Sequence, residues 1–306
     1  MTSRIRGPLA PVLTPFTQDL VPDVRRFIAH CRWLIDQQVG LAIFGTNSEA
    51  ASLSVDERIA LTEAALEAGI PAARMMPGTG GCALTDAVRL TKHAVEHGAS
   101  GALMLPPFYF KGVSDEGLFA YYAEVIERVG NPRLKVYLYH IPQFTQVPIT
   151  LNLVEMLRKR YPDTVVGAKD SSGNWDNTKA LIDNFAKDGF DVFPASESTL
   201  SKALPLGAVG CISATVNMNP AGIHAVVQGW NTPQGTELQA KADVIRQIFQ
   251  VLPMIPAMKA VVADVSGDPD WKVVRPPLVA LAPGAVQELL AALDAAGFAM
   301  PGYPRR

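Results

Sequence analysis

Short apolar runs and longer amphipathic stretches take turns along this chain, one pair about every thirty residues. That alternation restricts the fold more than any other feature, because strands separated by helices must pair in parallel through right-handed crossovers. The runs that read as strands are LAPVLTP (9–15), GLAIFGT (40–46), ARMMPGTG (73–80), GALMLP (101–106), KVYLYH (135–140), TVVGAKD (164–170), DVFPAS (191–196) and GCISAT (210–215). They are continuously apolar, as strands covered on both faces are. Between them, residues 23–38 put Phe27, Cys31, Leu34 and Ile35 on one helical face. Residues 54–69 open on Ser54 with Glu57 three positions later, a capping-box pattern, and close on Gly69. Eight such units predict a closed (β/α)8 barrel. A doubly wound open sheet is the competing architecture. It places a glycine-rich turn after its first strand, and FTQDLVPD there contains no glycine. After residue 226 the strand pattern stops and helical stretches follow at 235–252, 256–265 and 285–297. The expected division is a barrel with the active site in residues 1–225 and a helical extension in 226–306.

Bulk properties exclude several classes. Net charge is −2 and the isoelectric point is about 6.2, with no basic footprint for nucleic acid or a membrane surface. Cys31, Cys82 and Cys211 are odd in number and form no CxxC pair, which fits free thiols in a reducing compartment. Prolines 8, 11 and 15 interrupt the apolar N-terminus, and the longest apolar run, ALPLGAVGCISATV, is too short to span a bilayer. The expected location is cytoplasmic.

In a (β/α)8 barrel the working face is the C-terminal end of the strands. GTNSE (Gly45–Glu49) follows the second run, Tyr109 the fourth, Tyr139 ends the fifth and Lys169 the sixth. Tyr109, Tyr139 and Lys169 are spaced by thirty residues, one βα unit each. A strand-end lysine that is hydrated and paired with Asp170 is the ordinary reading of Lys169. The alternative is an amine desolvated by its strand, kept unprotonated often enough to condense with a 2-oxo acid. Such chemistry needs a proton carrier, which a tyrosine can be, and a cradle for the substrate carboxylate. The small polar side chains and backbone N–H groups of GTNSE suit that cradle, although the same sequence also serves as a plain βα turn.

Taken together, PVLTPF, GTNSE, LPPFYF, YHIP, GAKDSSG and GCISAT followed by Asn217 resemble, in that order, the dihydrodipicolinate synthase / N-acetylneuraminate lyase family of Schiff-base, pyruvate-type class I aldolases. The resemblance covers nearly the whole chain. It implies Lys169 as the Schiff-base lysine, Tyr139 as the general acid/base, Thr46 as the hydroxyl linking it to a second tyrosine, and Tyr109 as that tyrosine, which many members receive from a neighbouring subunit. It puts Asn47 at the carboxylate, Ile212 along the pyruvyl group through its backbone, and Ser196 near the distal part of the substrate. It also implies a homotetramer, no cofactor and no catalytic metal. Two positions depart from the pattern. Ser48 stands where members usually have glycine, and Phe144 stands where the dihydrodipicolinate-forming enzyme has an arginine for its second substrate's carboxylate. Asn47 is similar to the 4-hydroxy-2-oxoglutarate aldolase branch.

The expected function is reversible aldol cleavage of a 2-oxo acid with release of pyruvate, on a 4-hydroxy-2-oxoglutarate-like or 2-keto-3-deoxy acid. The alternatives are dehydration of a 2-keto-3-deoxy sugar acid, a dihydrodipicolinate-type condensation disfavoured by Phe144, and a 2-oxo acid binding protein without turnover. His93 and His97 lie four residues apart at a spacing that can bind zinc, but HAVEH has Ala94 where a metalloprotease has glutamate, and the pair falls away from the barrel mouth. No phosphate cup for pyridoxal phosphate is recognisable.

Overall fold

The computed structural model describes residues 4–306. Its strands are β1 (Gly7–Ala10), β2 (Gly40–Leu41), β3 (Ala102–Met104), β4 (Val136–His140), β5 (Val165–Asp170), β6 (Asp191–Pro194) and β7 (Gly210–Ile212). All pairings are parallel and form two arcs, β2-β1-β7 and β3-β4-β5-β6. The strand expected over 73–80 is not a regular strand, because Pro77 has no N–H to give to a ladder. The segment nevertheless fills the gap between the arcs. Met76 N and Gly78 N donate to Leu41 O and Ile43 O at 2.8 and 2.7 Å, and Thr79 N donates to Leu103 O at 2.9 Å. A side chain on Gly78 would run into the Phe44 carbonyl, 2.0 Å from its Cβ position, so only glycine lets the two segments approach. On the other side Val209 N donates to Val192 O at 3.1 Å, joining β6 to β7. The ring so formed is the α/β barrel. Regular strands are shorter than the apolar runs: β1 stops before Pro11 and β2 ends well short of Gly45.

The helices α1 (Val24–Asp36), α2 (Val55–Glu67), α3 (Leu84–Glu96), α4 (Asp115–Val129), α6 (Leu151–Arg160), α7 (Trp175–Phe185) and α9 (Pro220–Gly229) follow the strands, with one-turn helices α5 (Pro142–Thr145) and α8 (Leu200–Ala203) inserted. The capping box at Ser54 is present in full. Helix α9 spans the boundary expected at 225/226, and α10 (Gly235–Gln250), α11 (Met254–Ser266) and α12 (Pro283–Ala295) follow it. No single helix among the described residues is long and apolar enough to cross a membrane.

Three apolar layers follow from strand alternation. Leu9, Ala42, Met76, Leu103, Tyr137, Phe193 and Ile212 point into the barrel. Their neighbours point outward, one group toward α3–α7 and another toward α1, α2 and the C-terminal helices. Phe249, Met258, Val261, Trp271 and Leu293 share one cluster with Phe16, Phe27 and Phe44, so the extension has its core in common with the barrel.

Asn217 closes the structure where β1 and β7 meet. Its side chain accepts from Leu13 N at 3.2 Å, donates to Pro11 O at 3.1 Å and lies 3.0 Å from His30 Nε2. His30 Nδ1 in turn meets the Tyr303 hydroxyl at 3.1 Å. Burial pulls the pKa of His30 down to about 4, only partly offset by the Asn217 bond. The unfolded chain therefore takes up this proton first, and stability falls as pH drops from about 6.5 towards 4, with nothing further gained above 6.5. Urea unfolding at pH 7 and pH 5 checks this: replacing the ring by a group that does not titrate, in His30→Gln, should shrink the loss between the two pH values by about 2 kcal/mol, whatever the variant's starting stability.

Candidate active site

The register of β5 decides where the lysine goes. A shift opposite Val136/Tyr137 brings Gly167, Ala168, Lys169 and Asp170 beside Tyr137, Leu138, Tyr139 and His140. Ala168 and Leu138 belong to the outer layer. Gly167 and Lys169 lie on the opposite, barrel-facing side, with Tyr137 and Tyr139. Gly167 is required because the Tyr137 ring lies 2.5 Å from where its Cβ would be. Asp170 turns outward, accepting from Thr178 Oγ1 at 2.5 Å and from Ser172 N at 3.0 Å. The hydrated Lys169–Asp170 pair of an ordinary strand end is therefore not formed; Lys169 is 3% exposed.

Lys169 Nζ donates to Tyr139 Oη at 3.1 Å and lies 4.2 Å from the ring centroid. Tyr139 Oη is 3.0 Å from Thr46 Oγ1. Amine, phenol and alcohol thus form one chain of hydrogen bonds, contributed by neighbouring strands and the loop after β2. Thr46, Asn47 and Ser48 make a single 3-10 turn, with Thr46 and Asn47 half-buried. Ser48 is fully buried; Thr14 Oγ1 donates to its carbonyl at 2.7 Å, while its own hydroxyl has no protein partner. Ile212 is buried in the barrel interior beside Leu9.

Other expected residues stay apart within one chain. Tyr109 is 75% exposed, packs edge-on against Phe110, and does not reach Thr46. Phe144 is exposed on α5. Lys111 Nζ ties the Tyr109 loop to α5, donating to Thr145 O at 2.8 Å, so both aromatics are presented on one rim. Ser196 caps the turn after β6 by accepting from Ser198 N at 3.3 Å.

Sequence reasoning missed the groups that hold these loops. Glu49, at φ 56°, turns its carboxylate onto Lys259 of α11, and both side chains are fully buried. Lys259 Nζ also donates to Val273 O at 2.8 Å, and Glu49 accepts from Arg275 N at 3.1 Å. Arg275 continues to Leu20 O, Ser52 O and Glu57. Burial lowers the Lys259 pKa to about 8 against the pull of Glu49. The available signal was one cation inside the apolar stretch PAMKAVVADV. After β6, Glu197 is buried under the hydroxyls of Ser213 and Thr215, with Arg246 of α10 at 3.5 Å. His140 Nδ1 accepts from Ile149 N at 3.0 Å, and burial lowers its pKa despite Asp170 nearby. A cavity of about 520 Å³ lies outside the barrel between Trp33, Pro220, Ile245 and Phe298 and includes neither Lys169 nor Tyr139.

Known proteins share this parallel barrel over nearly the whole chain. The profile of the Dihydrodipicolinate synthetase family matches residues 4–296. An uncharacterized DapA-like lyase of Chloroflexus aurantiacus is 34% identical, covering 94% of this chain and 96% of its own. A 4-hydroxy-tetrahydrodipicolinate synthase of Rhizobium meliloti is 30% identical over 95% and 98%. Among solved structures, dihydrodipicolinate synthase from Agrobacterium tumefaciens superimposes with a TM-score of 0.87 at 31% identity, over 95% of this chain and 99% of that one. YagE, a prophage protein of Escherichia coli in the dihydrodipicolinic acid synthase family, solved with pyruvate, gives 0.87 at 26% identity, over 97% and 100%. The chain belongs to the dihydrodipicolinate synthetase family, and it is a lyase of that family.

The Glu49–Lys259 pair makes a quantitative prediction. Lys259→Met leaves a carboxylate buried and unpaired and should cost about 3–5 kcal/mol in urea unfolding, whereas Glu49→Gln combined with Lys259→Met should recover most of that loss.

Proposed function

We propose that this lyase forms a Schiff base between Lys169 and a 2-oxo acid and cleaves it in a reversible aldol reaction that releases pyruvate. The observation that carries the proposal is the chain from buried Lys169 Nζ through buried Tyr139 Oη to half-buried Thr46 Oγ1, with links of 3.1 and 3.0 Å. The amine adds to the ketone carbon, and the carbinolamine loses water to give an iminium. Tyr139 is within reach of the protons that move in both steps, and Thr46 is its outlet. Tyr139 then takes the proton from the substrate hydroxyl. The bond between the hydroxyl-bearing carbon and its neighbour breaks, its electron pair flowing into the iminium to form an enamine, and an aldehyde leaves. Protonation of the enamine and addition of water return the amine and give pyruvate. The iminium is itself the electron sink, so the chemistry calls for no cofactor and no metal.

Asn47 and the backbone N–H groups of the Thr46–Ser48 turn are the carboxylate cradle in this reading, and Ile212 lines the pyruvyl side. Pyruvate in the complex of the E. coli relative supports the same half of the substrate. The other half meets Phe144, Ser196 and the Ser48 position. Phe144 offers no cation where the resemblance leads one to look for arginine, which favours a 4-hydroxy-2-oxoglutarate-like or 2-keto-3-deoxy acid over a dihydrodipicolinate-type condensation. Exposed Tyr109, Phe110 and Phe144 form an aromatic rim that a second copy would cover, placing Tyr109 against a neighbour's Thr46; we take the working form to be a homotetramer.

A panel of 2-oxo acids assayed for pyruvate release with a coupled dehydrogenase tests the reading. At least one member should turn over. Lys169→Ala should reduce turnover to background, and Tyr139→Phe should lower kcat by about 10²–10⁴-fold. Full activity in Lys169→Ala, or loss of water without pyruvate release, would contradict it.

A further inference from the structure

We propose that Glu63, His93 and His97 form a site for a borderline divalent cation such as zinc, on the outer wall of the barrel between α2 and α3. His93 and His97 are four residues apart on α3, with ring centroids 4.2 Å apart. Glu63 reaches across from α2, its Oε1 3.3 Å from His93 Nε2. One donor atom from each of the three lies within 4.8 Å of the others, so small rotamer changes bring all three to bonding distance of one ion. Zinc takes nitrogen and carboxylate oxygen at about 2.0–2.2 Å in a tetrahedron.

Two further observations prepare the set for a metal. His97 Nδ1 lies 2.8 Å from the His93 carbonyl, which can only accept. Nδ1 therefore donates to that carbonyl, and Nε2 is the nitrogen left for a metal. This is the outer contact that orients metal-bound imidazoles. His93 is half-buried, so its ring is held in place by the packing around it. Two imidazoles and one carboxylate are the donor set of several zinc enzymes, with the fourth position left to water. Ala94 stands where such enzymes carry a general base, and Glu96 lies 3.9 Å from Lys92. The site therefore binds rather than hydrolyses. Both helices reach it near their C-terminal ends, at the opposite end of the barrel from Lys169. The ion would staple α2 to α3 without touching the buried amine, and the inference does not rest on the proposed aldol chemistry.

The test uses full-length, tag-free, chelator-treated protein titrated with zinc by calorimetry, and with cobalt as a spectroscopic probe. Zinc should bind at one equivalent per chain. Cobalt should give the visible bands of a four-coordinate nitrogen–oxygen site without sulfur charge transfer. His97→Ala and Glu63→Gln should each weaken zinc binding at least about tenfold and abolish the cobalt bands. Trapping of pyruvate by borohydride should be unchanged in both variants, which shows that the barrel is intact. Binding well below one equivalent, or stoichiometric binding that neither variant moves, overturns the proposal.

Discussion

The contact between Lys169 and Tyr139 exists because β4 and β5 are neighbours with those two residues in register. Period-two alternation then sends both side chains into the barrel and Asp170 away from it. An amine in that position is removed from bulk water and from the nearest carboxylate, and its polar partner is a phenol. The same placement puts it toward the C-terminal end of its strand, the face at which barrels of this kind carry their chemistry. Gly167, which looks incidental beside the lysine, is what lets the Tyr137 ring fill the layer below.

The loop that faces this amine is held from behind. Glu49 adopts a left-handed conformation, unusual for a residue with a side chain, and spends its carboxylate on Lys259 and Arg275 rather than on the site. The C-terminal helices are thus more than padding on the barrel. Lys259 and Arg275 fix the back of the 46–49 turn, and Arg246 and Gln239 of α10 do the same for the loop after β6 through Glu197. Removing the extension would strip apolar cover from α1 and α2 and leave two buried carboxylates without their cations.

Much of this was legible beforehand because it is periodic or local. The barrel followed from eight apolar runs alternating with helices, and the family followed from six short motifs in order. The positions of Tyr139 and Lys169 at successive strand ends could be counted off the chain. What could not be read depends on long-range partners. The 73–80 run looked like a strand by composition, yet Pro77 and the close approach at Gly78 leave it only partly laddered. Lys259 carries no local sign of an acid more than two hundred residues away. Glu63 sits on a different helix from His93 and His97, so spacing along α3 revealed two donors and not the third. Tyr109 illustrates the same limit across chains: its spacing matches one βα unit, but its ring faces outward from this chain.

Reductive trapping addresses the covalent claim most directly. The protein is incubated with pyruvate and borohydride, digested, and mapped by mass spectrometry. A peptide containing Lys169 should carry the mass of pyruvate less water plus two hydrogens, and wild-type protein should be inactivated in step with that label. An unlabelled Lys169, or a label that persists at the same level in Lys169→Ala, would contradict a reaction carried by this amine.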